Sequence, residues 1–447
     1  MTGLRISSPR NPNVSSPFPR LRASITRIAD SHPLLGLLPI LVVYVSIPVV
    51  IGTGETLADE PQYLAFSHNL LHGHYAVHPG WDWLSHGPGA PILIAPFVAA
   101  KAPILAIRIF AGAVVLFGAV LVFFRLADSV LKRGPALICA YLFAAYWPFL
   151  VQIRGVHNEP LAVFLVVALA HRTAVWSRTR RRRDVALTVL ILASLALTRI
   201  EYGYLLIAWI VIAICSLALH RRPNVARYAI ASSLLALVLC VPYLAYTQSV
   251  THRFFYWGSS GGQQLYWMDT GLSQDYGNWH SPHEVFSKPG LAPHRLLFNR
   301  IEARPPEDWD SELQSVATRN IRRHPLLYIR NVAFNAGRQI LNLPYSYDAK
   351  QVSAGKVLFY SVANLAVIAA AALGVRAVRR RREHWPPMVL LLTWFSVSSF
   401  CIHVVVASYA RMLVPTVPAL LAIALYAAPL KYRRHVQERV TPPLAAV

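Results

Sequence analysis

Long apolar runs alternating with short basic ones set the rhythm of this chain. Ten blocks, at 34–52, 104–124, 135–152, 160–176, 185–199, 203–219, 226–247, 356–375, 387–407 and 412–430, are each rich in Leu, Val, Ala and Ile. The hydrocarbon core of a bilayer takes about 20 apolar residues as one helix, and a helix satisfies its own backbone there. The pattern predicts an all-α polytopic membrane protein of about ten transmembrane helices, with interfacial helices and a long outward-facing segment after the seventh. It divides into a disordered cytoplasmic tail (1–33), an N-terminal transmembrane module (34–247, with an outward loop at 53–103), an outward segment (248–355), C-terminal transmembrane helices (356–430) and a second cytoplasmic tail (431–447).

The polar stretches fix the orientation. The N-terminal tail, "RLADSVLKRG" (125–134), "SRTRRRRD" (177–184), "HRRPNVAR" (220–227), "RAVRRRREH" (376–384) and "KYRRHVQER" (431–439) are all basic and each follows an even number of blocks. Short loops rich in Lys and Arg stay cytoplasmic, so both termini face inward. The connections at 53–103, 154–160, 198–203, 248–355 and 408–411 then face outward. "GPGAPILIAPFVAAKAP" (87–103) is apolar but short and interrupted by proline. Counting it as a span would invert every later loop, so it reads as a helix along the outer interface. The long outward segment carries Arg319, Arg322, Arg323, Arg330 and Arg338 against this rule, as long translocated loops are free to do.

Composition narrows the class. The chain has 447 residues, 55% of them hydrophobic and 14% charged, too apolar for a soluble domain of this size. The net charge of +23 lies between greasy blocks, which points to membrane topology and away from nucleic acid. Cys139, Cys215, Cys240 and Cys401 all lie inside apolar blocks and read as packing thiols, with no disulfide framework. The first 33 residues are far longer than the basic start of a signal peptide, so the first block reads as an uncleaved anchor.

Six charged residues gather close to one membrane face: Asp59, Glu60, Glu159, Arg199, Glu201 and Arg411. Such residues are costly near hydrocarbon and line a cavity, pair, or act on a substrate. Each also has a plainer reading. Asp59 and Glu60 can cap the helix that follows, Glu159 can meet exposed amides at a helix start, Arg199 and Glu201 can neutralise each other, and Arg411 can snorkel to headgroups. His68, His72, His74 and His78 fit no standard closed zinc spacing and read as interfacial polar contacts. "RFFYWGSSGGQQLYWMDT", which opens the outward segment, combines aromatics with a glycine pair. Such rings stack on sugars or anchor at the interface. Residues 311–341 read as helical, broken at Pro325.

The order of short motifs resembles the GT-C superfamily of polytopic glycosyltransferases, in particular its protein mannosyltransferase and aminoarabinose transferase branch. The likeness is carried by "DEPQYL" after the first span, "HGPGAPIL", "AIRIFAG", "RGVHNEPLAVFL", "LALTRIEYGYLL" and "RMLVPTVPALLAI". Departures are His86 where a lysine is common, Glu159 in place of aspartate and Met412 in place of tyrosine.

The resemblance implies an inverting transfer of one sugar from a polyprenyl-phosphate donor to a hydroxyl of a lipid, glycan or protein. In that reading Asp59 is the general base and Glu60 orients it or meets the acceptor. Arg411 binds the donor phosphate, with His86, Arg108 and Arg199 as further candidates. Glu159, Tyr63, Tyr266 and Trp267 contact substrate, and a divalent metal, where used, sits on Asp59 and Glu159. Partners are the donor, the acceptor and membrane lipids, with no nucleic acid. The absence of an Asn-x-Ser/Thr sequon from the outward segments favours a bacterial plasma membrane, with the site facing the periplasm. The competing classes are a transporter or flippase of lipid-linked sugars and a non-catalytic polytopic subunit. Transporters carry internal repeats and helices broken at mid-membrane, and the sequence shows neither.

Overall fold

The computed structural model describes residues 33–52, 59–77, 84–343, 353–380, 385–406 and 408–433. The N-terminal tail before Pro33, His78 and the C-terminal tail beyond Arg433 lie outside the described residues. The protein is an all-α polytopic membrane protein, and among the described residues the only β pairing is an isolated bridge between Leu131 and Arg433.

Among the described residues, eight helices are long and apolar enough to cross a membrane: Leu34–Ile51, Ile104–Val130, Glu159–Thr179, Glu201–Ala218, Pro223–Thr251, Ala354–Arg380, Pro387–Val406 and Ala410–Ala427. Two of the ten apolar blocks fold differently. The block at 185–199 becomes Arg182–Thr198, a helix of 17 residues. The block at 135–152 splits into Arg133–Ala144 and Trp147–Gln152. Pro148 explains the split, because inside a continuous helix it would have no amide to donate to the Ala144 carbonyl and its ring would clash there, whereas near the start of a new helix no such donor is needed. Tyr146, the residue ahead of the new helix, is accordingly extended.

The helices run between two ends of unlike chemistry. At one end the basic loops meet: the Lys132 amide donates to the Tyr432 carbonyl at 2.8 Å, and Arg178 donates to the Ser129 carbonyl at 2.9 Å. Glu159–Thr179 starts at the opposite end and finishes at the basic one, while Arg182–Thr198 returns. At 1.5 Å per residue such helices separate the two ends by about 30 Å, the thickness of a hydrocarbon core. Between the ends, Phe123, Phe143, Phe149, Trp209 and the alanines of the crossing helices form the main core.

At the end away from the basic loops, two short helices lie beside each other, Glu60–Leu71 and Gly89–Ala99. The second is the proline-interrupted apolar stretch, far too short to span. Gly87 and Gly89 let its start press on the end of Arg182–Thr198, where a Cβ would strike the Leu197 carbonyl and Thr198.

The segment after Pro223–Thr251 forms its own helical layer: Gly261–Met268, Pro282–Ser287, Arg295–Glu302, Pro306–Arg323 and Pro325–Leu341. The last two are divided at His324, ahead of Pro325. Tyr266, Trp267, Val285, Leu291, Phe298 and Leu313 make a separate small core within this layer. Tyr328 and Asn335 donate to the carbonyls of Val405 and Val404, and Tyr409 donates to that of Trp279. These bonds fasten the layer over the ends of two spans.

Candidate functional site

Beneath that layer lies a cavity of about 340 Å³, walled by three groups of residues. Asp59, Gln62, Tyr63 and His86 come from the first short helix and the loop after it. Glu159, Arg199, Glu201, His403, Arg411 and Met412 come from span ends. Trp257, Ser260, Gln264, Trp279 and Tyr409 close the third side.

Asp59 and Arg411, from opposite ends of the chain, meet at 3.0 Å. The pair is partly open, with side-chain exposures of 27% and 36%, so both partners remain within reach of a ligand. Burial pushes the Asp59 carboxyl up, but Arg411, with smaller contributions from His86 and His157, outweighs it and holds the group below the usual carboxylate range.

A second charged group lies deeper. Arg199 donates through Nε to Glu201 at 2.6 Å, through Nη1 to Glu159 at 3.4 Å, and through Nη2 to the Met412 sulfur at 3.0 Å. His403 meets the same Glu201 oxygen as Arg199, with Nε2 at 3.2 Å from Oε1, and its Nδ1 lies 2.6 Å from the Ser399 carbonyl. Arg199 is 4% exposed and has two acids around it. It therefore acts as a fixed charge and not as a free phosphate clamp. Arg411 is the accessible guanidinium of the cavity.

His86 is neutral and saturated. Its Nε2 lies 3.0 Å from Gln62 Oε1, a carboxamide oxygen that accepts, and its Nδ1 lies 3.4 Å from the Tyr63 hydroxyl. Burial pushes the ring's pKa down. The imidazole thus offers a phosphate neither a charge nor a spare donor, which runs against the phosphate role expected for it. Burial, with Glu159 and Asp59, also raises the Tyr63 hydroxyl well above its ordinary pKa.

Four other expected site residues sit elsewhere. Glu60 turns away from the cavity and accepts from Arg108 through both carboxylate oxygens, at 2.9 and 2.8 Å, and from the Val156 amide at 2.8 Å. Arg108 also donates to the Gly52 carbonyl at 2.6 Å. This sealed pair fastens the first short helix to the second span. Tyr266 hydrogen-bonds His294 at 2.7 Å, and Trp267 is fully buried, both in the small core of the outward layer. Aromatics beside glycines signal a core as readily as a sugar platform, and here they form a core. Trp257, near the start of the same stretch, and Trp279, beyond its end, are the tryptophans that line the cavity.

Among the described residues no group of three or more His, Cys, Asp or Glu is placed to hold a metal ion. Asp59 and Glu159, the acids named for a divalent cation, each face a guanidinium instead. A cation there would compete with Arg411 and Arg199, so the donor set as folded does not suit one.

Residues that the sequence did not single out complete the wall: Gln62, His403 and Tyr409. Of these only Gln62 had a local signal, standing three residues after Asp59 where a capping partner belongs.

No protein-family model matches the sequence, and no curated protein does. Solved structures similar to this chain include those of the oligosaccharyltransferase of Archaeoglobus fulgidus. The apo form is 13% identical with a TM-score of 0.47, over 87% of this chain and 50% of that one. The complex of AglB with an inhibitory peptide and a dolichol-phosphate is 13% identical with a TM-score of 0.45, over 89% of this chain and 50% of that one. The chain spans about half the length of the solved structures it matches.

Proposed function

We propose that this protein is a membrane glycosyltransferase of GT-C type, moving one sugar from a polyprenyl-phosphate donor to a hydroxyl acceptor at the outer membrane face. The observation that carries the reading is the Asp59–Arg411 pair, a carboxylate and an accessible guanidinium 3.0 Å apart in one cavity. Such a transfer needs both. The acceptor oxygen attacks the anomeric carbon and gives its proton to Asp59 as general base. The bond from that carbon to the phosphate oxygen breaks, and the polyprenyl phosphate leaves with the electron pair. Arg411 meets the phosphate oxygens, for which a planar guanidinium is well shaped. Attack opposite the leaving group inverts the anomeric centre.

In the resting protein the two groups satisfy each other. A donor phosphate therefore competes with Asp59 for Arg411, and its arrival frees the carboxylate beside the acceptor. Arg199, held by Glu159 and Glu201, contributes a fixed positive field deeper in the cavity. No step runs through a metal. The exterior orientation is supported by the cavity lying at the end opposite the basic loops, since short loops rich in Lys and Arg stay cytoplasmic.

The test is transfer by the purified chain from a polyprenyl-phosphate-linked labelled sugar. Asp59→Asn should lower transfer about 10²- to 10⁴-fold while the protein still binds polyprenyl phosphate. A variant that transfers at the wild-type rate would remove Asp59 from the chemistry. In cells lacking the protein, mass spectrometry should find the lipid-linked sugar accumulating.

A further inference from the structure

Asp59 and Gln62 stand at the N-cap and N3 positions of the helix Glu60–Leu71, the two places from which side chains close a reciprocal capping box. The protein builds that box completely elsewhere. Ser281 accepts from the Glu284 amide at 3.2 Å, and Glu284 accepts from the Ser281 amide at 2.9 Å. At 59–62 neither half forms, and no side chain caps the helix. Leaving a cap unmade costs about 1 kcal/mol, so both side chains are diverted from local stabilisation. Asp59 goes to Arg411 and Gln62 goes into the cavity wall.

The way Gln62 is held decides what it presents. Its Oε1 accepts from Ser85 Oγ at 3.1 Å and from His86 Nε2 at 3.0 Å. Two donors on one carboxamide oxygen fix the plane of the amide and turn its nitrogen the other way. That nitrogen has no hydrogen-bond partner among the described residues, and it is not one of the buried partnerless atoms. Gln62 is therefore an immobilised, uncharged N–H donor, one helical turn from Asp59, in a cavity whose carboxylates Asp59, Glu159 and Glu201 are all occupied by arginine.

We infer that Gln62 is a substrate-positioning residue, its amide N–H₂ donating to a neutral oxygen of the acceptor next to the hydroxyl that Asp59 deprotonates. The inference rests on the transferase reading and sharpens it. A neutral donor fixed by neutral partners selects a hydroxyl or carbonyl oxygen, which places the acceptor in the class of polyhydroxylated molecules with two adjacent oxygens. Arg411, the charged group, is left to the phosphate.

Two substitutions separate donation from mere support. Gln62→Glu keeps an oxygen to accept from Ser85 and His86 but loses both N–H groups, whereas Gln62→Leu loses both functions. Transfer from a polyprenyl-phosphate-linked labelled hexose is measured with the full chain in nanodiscs, using octyl glucoside and its singly deoxygenated derivatives as acceptor probes. Both variants should raise the acceptor KM about tenfold, the effect of losing one buried hydrogen bond, with kcat changed far less. Polyprenyl phosphate should bind both variants as it binds the wild type. One deoxy derivative, lacking the oxygen that Gln62 holds, should be as poor for the wild type as octyl glucoside is for Gln62→Glu. Gln62→Glu with wild-type kinetics beside an impaired Gln62→Leu would overturn the inference and leave Gln62 a support for His86. A wild-type chain that binds polyprenyl phosphate yet transfers to no hydroxyl probe would sink the transferase reading itself, before any variant is compared.

Discussion

Asp59 and Glu60 are neighbours in sequence, each paired with an arginine, and their surroundings could hardly differ more. Glu60 and Arg108 are 0% and 1% exposed, and the acid takes a third bond from the Val156 amide. Asp59 and Arg411 meet through one contact and stay 27% and 36% exposed. The first pair is closed to any competitor and holds two helices together. The second is open, so another anion can replace either partner. Identical chemistry thus serves as a fastener in one place and as a site in the other, and the difference is access.

Substitution should separate the two pairs cleanly. Asp59→Asn is expected to lower transfer about 10²- to 10⁴-fold, the contribution of a general base, with the melting temperature nearly unchanged. It should also tighten binding of polyprenyl phosphate, because the competitor for Arg411 is gone. Arg108→Ala should do the reverse: an unpaired buried Glu60 costs about 3–5 kcal/mol, seen as a lower melting temperature and poorer yield. The folded fraction should still transfer. Arg411→Lys keeps the charge but loses the fork, raising the donor KM about tenfold.

The open pair also sets a pH signature. A depressed folded pKa means that the pairing of Asp59 stabilises the protein above the ordinary aspartate value of 3.8, and that this contribution fades as pH falls through the lower folded value. The acid limb of kcat/KM, which reports the free enzyme, should therefore lie below that value and move upward in Arg411→Ala. The smallest effect is expected farthest from the cavity. Tyr266→Phe, which removes the bond to His294, should cost about 1 kcal/mol of stability and leave the kinetics alone.

The sequence carried the fold well where cost enforced it. Hydrocarbon tolerates only apolar helix, so the spans could be read directly, and arginine clusters marked the end where the loops at 125–134 and 431–433 meet. Charged residues near a span end were legible for the same reason, which is how Asp59, Glu159, Arg199 and Arg411 could be named together. Which acid faced which arginine was not legible, because Glu60 and Asp59 differ only by the turn of a helix. Neutral wall residues such as Gln62 and Tyr409 carry no such penalty: Gln62 left only a capping signal and Tyr409 none. Tyr266 and Trp267 were misplaced because the outward segment buries a core of its own, invisible to a reading tuned to the membrane.

Just beyond Arg108, the second span widens into a π-helical stretch at Ile109–Val114. Such a widening holds one residue more than an α-helix needs. Deleting a single residue from the regular turns that follow, within Val115–Val130, would swing everything upstream by about 100° and carry the Arg108 guanidinium off its carboxylate, whereas the same deletion inside the widened stretch would restore a regular ladder with the flanking turns close to their present phase. The irregular turn therefore works as a slack coil, the one place along this helix where losing a position should cost little.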